Sequence, residues 1–211
     1  MERETGRIEA FSDGIFAVAI TLLALEIGIE EAPDLHITNT GFWQEIISLW
    51  PKYFAFFNSF ASVLLMWMSH HKIFRLLRST NTFIILANGF LLLVTALVPF
   101  PAKTIGEYIR TDAVSAAVIF YNSYSVLMCL AFWLLSFAIL RNRQHLLPTK
   151  VSHDSMSGIY KGICVGLFCM VAILALTFFS AYLGLILNFL MWIFWAALTY
   201  LGERNEKQIE G

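Results

Sequence analysis

Arg7, Ser12 and Asp13 precede an apolar run from Ile15 to Ile27, so a cation, a hydroxyl and a carboxylate open a stretch otherwise suited to lipid. An ionisable group inside a membrane span is costly, and its presence marks a candidate functional site. Further along, Trp67-Met68-Ser69-His70-His71-Lys72 sets an indole and two imidazoles at the end of a second apolar run, and Asn81 and Asn88 open a third. Two chemistries fit this set. One is proton transfer or metal ligation by Asp13, His70 and His71. The other is a hydrogen-bonded network that pins the first helix to the second and third. Adjacent histidines stand roughly 100° apart on a helix of about 3.6 residues per turn, which suits a single metal poorly. No HExxH-type ligand set accompanies them. The network is the stronger reading, because unsatisfied polar groups in hydrocarbon are costly. A histidine within it allows pH sensitivity.

A second set lies on the first helix itself. Helical spacing places Val18, Leu22 and Leu25 on one face with Thr21 beside them, while Gly14, Ala17 and Ala24 permit close helix approach. Taken alone, such a stripe is packing or lipid-facing surface. Several copies of this helix around an axis would narrow at rings of Val18, Leu22 and Leu25, and hydrophobic constrictions of that kind gate by dewetting. At the far end, Glu26, Glu30 and Glu31 and the C-terminal end of the helix dipole would favour cations at an outer mouth. The carbonyl-lined Thr-Val-Gly-Tyr-Gly filter of ordinary potassium channels is not present, so any selectivity needs another origin.

The elements that position these residues follow from hydropathy. The chain is 58% hydrophobic and 14% charged, against about a quarter charged in soluble domains. It reads as an all-α integral membrane protein in a lipid bilayer. A span needs about 20 mainly apolar residues, which predicts six transmembrane helices near 8–29, 50–74, 81–101, 113–140, 157–178 and 181–202, in a single domain over 1–211. With the N-terminus inside, 11 of the 14 basic residues fall on the inner side and only Lys52, Lys103 and Arg110 on the outer. That fits the positive-inside rule and places both termini in the cytoplasm. Pro99 and Pro101 are expected to end the third span, with 102–112 as an outer loop or short surface helix. The polar stretch 141–157 is expected to be a mobile inner loop.

Other classes are set aside on composition. A net charge of −1 offers no basic field for nucleic acid. Cys129, Cys164 and Cys169 are an odd number in apolar segments and lack metal-ligand spacing. No cofactor is expected. Acids precede the first apolar run and no small-residue cleavage site follows it, so it is read as a span of the mature protein. Phe-Ser-Asp occurs once, which disfavours a two-repeat transporter within one chain.

Three ordered motifs then resemble a known family. Arg7-x-x-x-Phe11-Ser12-Asp13 resembles the first-helix signature of the endolysosomal potassium channels of the transmembrane protein 175 family, whose short prokaryotic members have six helices. Trp67-x-x-His70-His71-Lys72-Ile73-Phe74-Arg75 is similar to its second-helix end, and Leu97-Val98-Pro99-Phe100-Pro101 with Gly106-Glu107-Tyr108 to the end of its third. The resemblance implies a homotetrameric cation channel of the prokaryotic plasma membrane, passing potassium and other monovalent cations, with helix 1 lining a central pore. It carries the constriction onto Val18, Leu22 and Leu25 and a hydroxyl layer onto Thr21. The structural polar network falls on Arg7, Ser12, Asp13, Trp67, His70, His71 and Asn88. Val18 stands where a longer side chain is common in the family, which implies a wider constriction and weaker selectivity.

A proton-coupled carrier using Asp13 and His70 or His71 is the alternative, and a membrane enzyme using the histidines is a third. Unitary currents, gradient-driven saturable uptake and substrate turnover distinguish the three.

Overall fold

Backbone amides in lipid have no water to bond, so spanning segments must close their hydrogen bonds within helices or barrels. The computed structural model is helical in this way. It describes residues 2–28, 38–148 and 150–209, with side chains described for 5–28, 38–148 and 153–197. Among the described residues there are nine helices and no strand. They are α1 (Glu2–Leu25), α2 (Asn39–Ser48), α3 (Trp50–Leu76), α4 (Thr82–Ala96), α5 (Pro99–Tyr108), α6 (Val114–Arg141), α7 (Arg143–Leu146), α8 (Lys150–Thr177) and α9 (Ala181–Ile209).

By length and composition four stretches can cross a membrane: Thr5–Leu25, Thr82–Tyr108, Val114–Arg141 and His153–Thr177. Ala181–Ala197 is a shorter apolar helix. The long α3 is interrupted by buried polar residues, Asn58, Ser59, Ser62 and His70 among them, and is not one of these four.

Local chemistry explains the boundaries. Asn81 caps α4, accepting from the Ile84 amide at 2.9 Å, so one of the polar residues read as part of the inner layer is a helix cap. Thr38 does the same for α2 through the Gly41 amide at 3.1 Å. Proline stands in the first turn of both α3 and α5, where its missing amide costs no helical bond.

Two stretches differ from the sequence expectation. Pro99 and Pro101 do not end helical structure; they restart it as α5, whose Pro101, Ala102 and Ile105 are buried. The stretch 141–157 is not an open loop. It holds α7 and the start of α8, with Leu146, Leu147 and Met156 buried and the Arg78 amide bonded to the Leu146 carbonyl at 2.8 Å. Adjacent leucines that can be tucked under the bundle outweigh the polar composition around them.

The helices form a bundle in which α6 packs most extensively on α8 and α4, and α1 lies against α3 and α4. The main apolar core joins α1, α3, α4, α6 and α8, from Phe16 and Leu23 to Leu135, Ile139 and Met156. A smaller cluster around Ile105, Val118 and Leu185 fills the end where α3, α6 and α9 begin. Gly162 and Gly166 on α8 leave room for the Trp195 indole of α9, which would lie 3.3 Å from a Cβ at 166. Small residues one turn apart permit such close packing in a membrane.

Candidate functional site

Along α1 the side chains divide cleanly. Ser12, Phe16, Ala19 and Leu23 are fully buried against the bundle. On the other side, Phe11 is 65% exposed, Val18 54%, Leu22 40% and Leu25 74%, with Thr21 exposed beside them. A helix buried on one face and bare on a continuous apolar other face has a surface suited to lipid or another chain. Thr21 Oγ1 donates to its own helix at the Val18 carbonyl, 2.8 Å away. Its hydroxyl therefore lies along the helix surface at the level of Val18.

The buried face is anchored at the start of α1. Ser12 Oγ donates to the Ile8 carbonyl at 2.8 Å and accepts from Asn88 Nδ2 at 3.0 Å. Asn88 Oδ1 then meets His70 Nε2 at 2.9 Å. Since the amide nitrogen is already donating to serine, the carbonyl oxygen must accept, which places the histidine proton on Nε2. His70 Nδ1 is left without a partner, enclosed by Phe74, stacked at 4.3 Å, and Phe16, tilted at 5.4 Å. A proton added there would find no acceptor.

Two further rungs join α1 to α3. Trp67 Nε1 donates to Asp13 Oδ1 at 2.8 Å, and His71 Nδ1 lies 2.8 Å from Glu9 Oε1. A step of four residues back along α1 meets a step of four forward along α3, the register of an antiparallel pair. The Trp67 and His71 rings stack at 6.0 Å. The structure thus brings Ser12, Asn88 and His70 into one chain of bonds and Asp13 and Trp67 into another. Arg7 is exposed and makes no hydrogen bond or ion pair with these groups. Glu9 is a further member of this layer, and its position one turn before Asp13 is the sequence signal for it.

At the other end of α1, Glu26 is half-buried and paired with Lys103, Nζ to Oε2 at 3.3 Å. Glu30 and Glu31 lie outside the described residues. Among the described residues, no group of three or more His, Cys, Asp or Glu is placed to hold a metal ion.

A second buried polar layer lies outside the residues that the sequence singles out. Asn58 Nδ2 donates to the Tyr121 hydroxyl at 2.9 Å and to Asn188 Oδ1 at 3.2 Å. Asn188 Nδ2 donates to Asn122 Oδ1 at 2.9 Å and Ser125 Oγ at 3.1 Å. Asn122 Nδ2 reaches Thr177 Oγ1 at 2.8 Å. Four helices, α3, α6, α8 and α9, meet there. The available signal was one asparagine in each of three apolar runs, about two turns from the start of its helix.

With this geometry in view, the relatives are informative. The family model for the endosomal/lysosomal potassium channel TMEM175 matches residues 7–99. A potassium channel of Chamaesiphon minutus is 39% identical over 197 residues, covering 92% of this chain and 95% of the relative. A zebrafish (Danio rerio) protein named endosomal/lysosomal proton channel TMEM175 is 33% identical over 150 residues, covering 66% of this chain and 28% of its own length. The crystal structure of a lysosomal potassium-selective channel TMEM175 homologue from Chamaesiphon minutus superposes with a TM-score of 0.81 at 36% identity, covering 92% of this chain and 97% of that one. Fold and relatives define an integral membrane ion channel and not an enzyme. The chain belongs to the TMEM175 family.

Proposed function

We propose that this chain is the subunit of a homotetrameric, potassium-permeable and weakly selective cation channel of the bacterial plasma membrane, with α1 lining the pore. In this reading the chain is a single domain of six spans with both termini in the cytoplasm. The observation that carries it is the division of α1. One face is pinned by Ser12, Asp13 and their partners, and the opposite apolar face with Val18, Leu22 and Leu25 is bare. An anchored helix offering an unpartnered apolar stripe suits a symmetric arrangement around an axis, where the stripe becomes a constriction. Val18 is the shortest of the three and would leave its ring the widest. Thr21 adds a hydroxyl at the same depth, and Glu26, Glu30 and Glu31 belong to the outer mouth. Potassium is the ion named for the Chamaesiphon relative.

The proton-coupled alternative draws on the name of the zebrafish relative but finds little support in the polar cluster. Asp13 accepts from Trp67 and His70 bonds to Asn88, so no direct hydrogen bond links Asp13 to a histidine; the carboxylate that meets an imidazole is Glu9, 2.8 Å from His71. The network reading assigns these groups to positioning α1.

Planar-bilayer recording of purified protein under a potassium/sodium bi-ionic gradient tests the proposal. Unitary currents that reverse toward the potassium potential are expected. Silence together with pH-driven uptake into liposomes would overturn it in favour of the carrier.

A further inference from the structure

The charge count leaves three basic residues on the outer side, Lys52, Lys103 and Arg110. Two of them converge behind the end of α1. Lys52, in the first turn of α3, donates through Nζ to the Gly28 carbonyl at 3.2 Å. Its stem crosses α5 at Gly106, where a Cβ would come within 3.2 Å of Lys52 Cγ and 3.4 Å of its Cα. Glycine is thus what lets α5 approach this lysine. From α5, Lys103 Nζ reaches Glu26 Oε2 at 3.3 Å and Glu107 Oε1 at 3.9 Å. Glu26, Lys52, Lys103 and Glu107 line one small cavity with Leu23 and Ala102.

The last turn of α1 is itself weakly held. The Glu26, Ile27 and Gly28 amides bond three residues back, each at 3.3 Å, and Leu25 projects outward. Lys52 supplies a donor to a carbonyl beyond the helix end, where a cation is favoured by the helix dipole. The carboxylate that the sequence alone would place at a cation-attracting mouth already has a positive partner.

We propose that Lys103 sets the charge of the outer mouth by masking Glu26, with Lys52 and Gly106 holding the turn that brings the pair together. The proposal rests on the channel reading and makes Lys103 a conductance-determining residue. With Lys52 and Glu107 beside them, Glu26 and Lys103 complete a set of two cations and two carboxylates that is neutral as a whole. Removing the lysine exposes a carboxylate beside the pore, removing the carboxylate exposes an ammonium, and removing both restores neutrality. Interactions of this kind weaken with ionic strength, since the Debye length falls from about 10 Å at 0.1 M to about 3 Å at 1 M.

The test is unitary potassium conductance of wild type, Lys103→Gln, Glu26→Gln and the double variant at about 0.1 M and about 1 M salt. At the lower salt, Lys103→Gln is expected to raise inward conductance about twofold and Glu26→Gln to lower it by a similar factor, as local cation concentration follows the field. The double variant is expected to match wild type, and the differences to disappear at high salt. Lys103→Arg should behave as wild type. If Lys103→Gln does not assemble, Glu26→Gln carries the comparison by itself. Variants of a conducting wild type that do not move, move in the same direction, or differ equally at both salts overturn this proposal alone. A wild type that passes no current overturns it together with the channel reading.

Discussion

Asn88 is the residue on which the buried face of α1 turns. Its amide donates to Ser12 and its carbonyl accepts from His70, so replacing it leaves the His70 Nε2 proton without an acceptor and the Ser12 oxygen with only its bond to the Ile8 carbonyl, in a fully buried site. Asn88→Leu is expected to lower the stability of the assembled protein by about 1–3 kcal/mol, the cost of leaving buried partners unmade. Thermal unfolding followed by size-exclusion chromatography measures this, and an unchanged melting temperature would contradict it. Ion preference of the surviving channels should be unaltered, because Asn88 is buried behind α1 and not on its exposed face. Leu22 presents the opposite case. It is part of the bare stripe, so Leu22→Ser should cost little stability and raise conductance roughly several-fold by wetting the constriction. Equal currents in Leu22→Ser and wild type would count against a hydrophobic constriction at this ring.

Between elements, the second polar layer decides how α8 meets α9. Gly184 sits where a Cβ would be 2.9 Å from Thr177 Cβ and 3.1 Å from Asn122 Nδ2, with Thr177 Oγ1 closer still. Gly184→Ala is therefore expected to push Thr177 away from Asn122 and destabilise the bundle by about 1–3 kcal/mol, in the range for overpacking a filled site. Thermal unfolding of the purified variant checks this. A substitution at Gly14, whose Cβ would meet nothing within 4 Å, is the matched control and should leave the subunit fold intact. The same comparison shows how little spacing alone discloses. Both glycines lie in apolar helices, and only the approach of α8 to α9 separates them.

For the whole molecule, the exposed face of α1 is the surface on which the proposed assembly would close. Four copies around an axis would bring Val18, Leu22 and Leu25 into rings. Purified protein in mild detergent is accordingly expected to have a protein mass four times that of the chain by light scattering. A monodisperse monomer would remove the basis for a pore on α1. Leu25→Cys should crosslink across the assembly under oxidation, since this side chain is the barest of the stripe. Absence of crosslinking in an intact tetramer would place the stripe against lipid instead.

Several features were legible before any coordinates. Long apolar stretches with few charges dictate helices in lipid, because backbone groups must be satisfied within the segment. The i, i+4 and i, i+7 spacing put Val18, Leu22 and Leu25 on one face, and the costly Asp13 marked the first helix as the one to watch. What spacing could not supply was pairing between helices. That Glu9 joins His71, that Asn58, Asn122 and Asn188 meet, and that Lys103 covers Glu26 all depend on which helix lies beside which, and at what register. Those contacts join residues from 62 to 130 positions apart. The pattern along one helix shows which residues share a face, but only the packed bundle decides what each face meets.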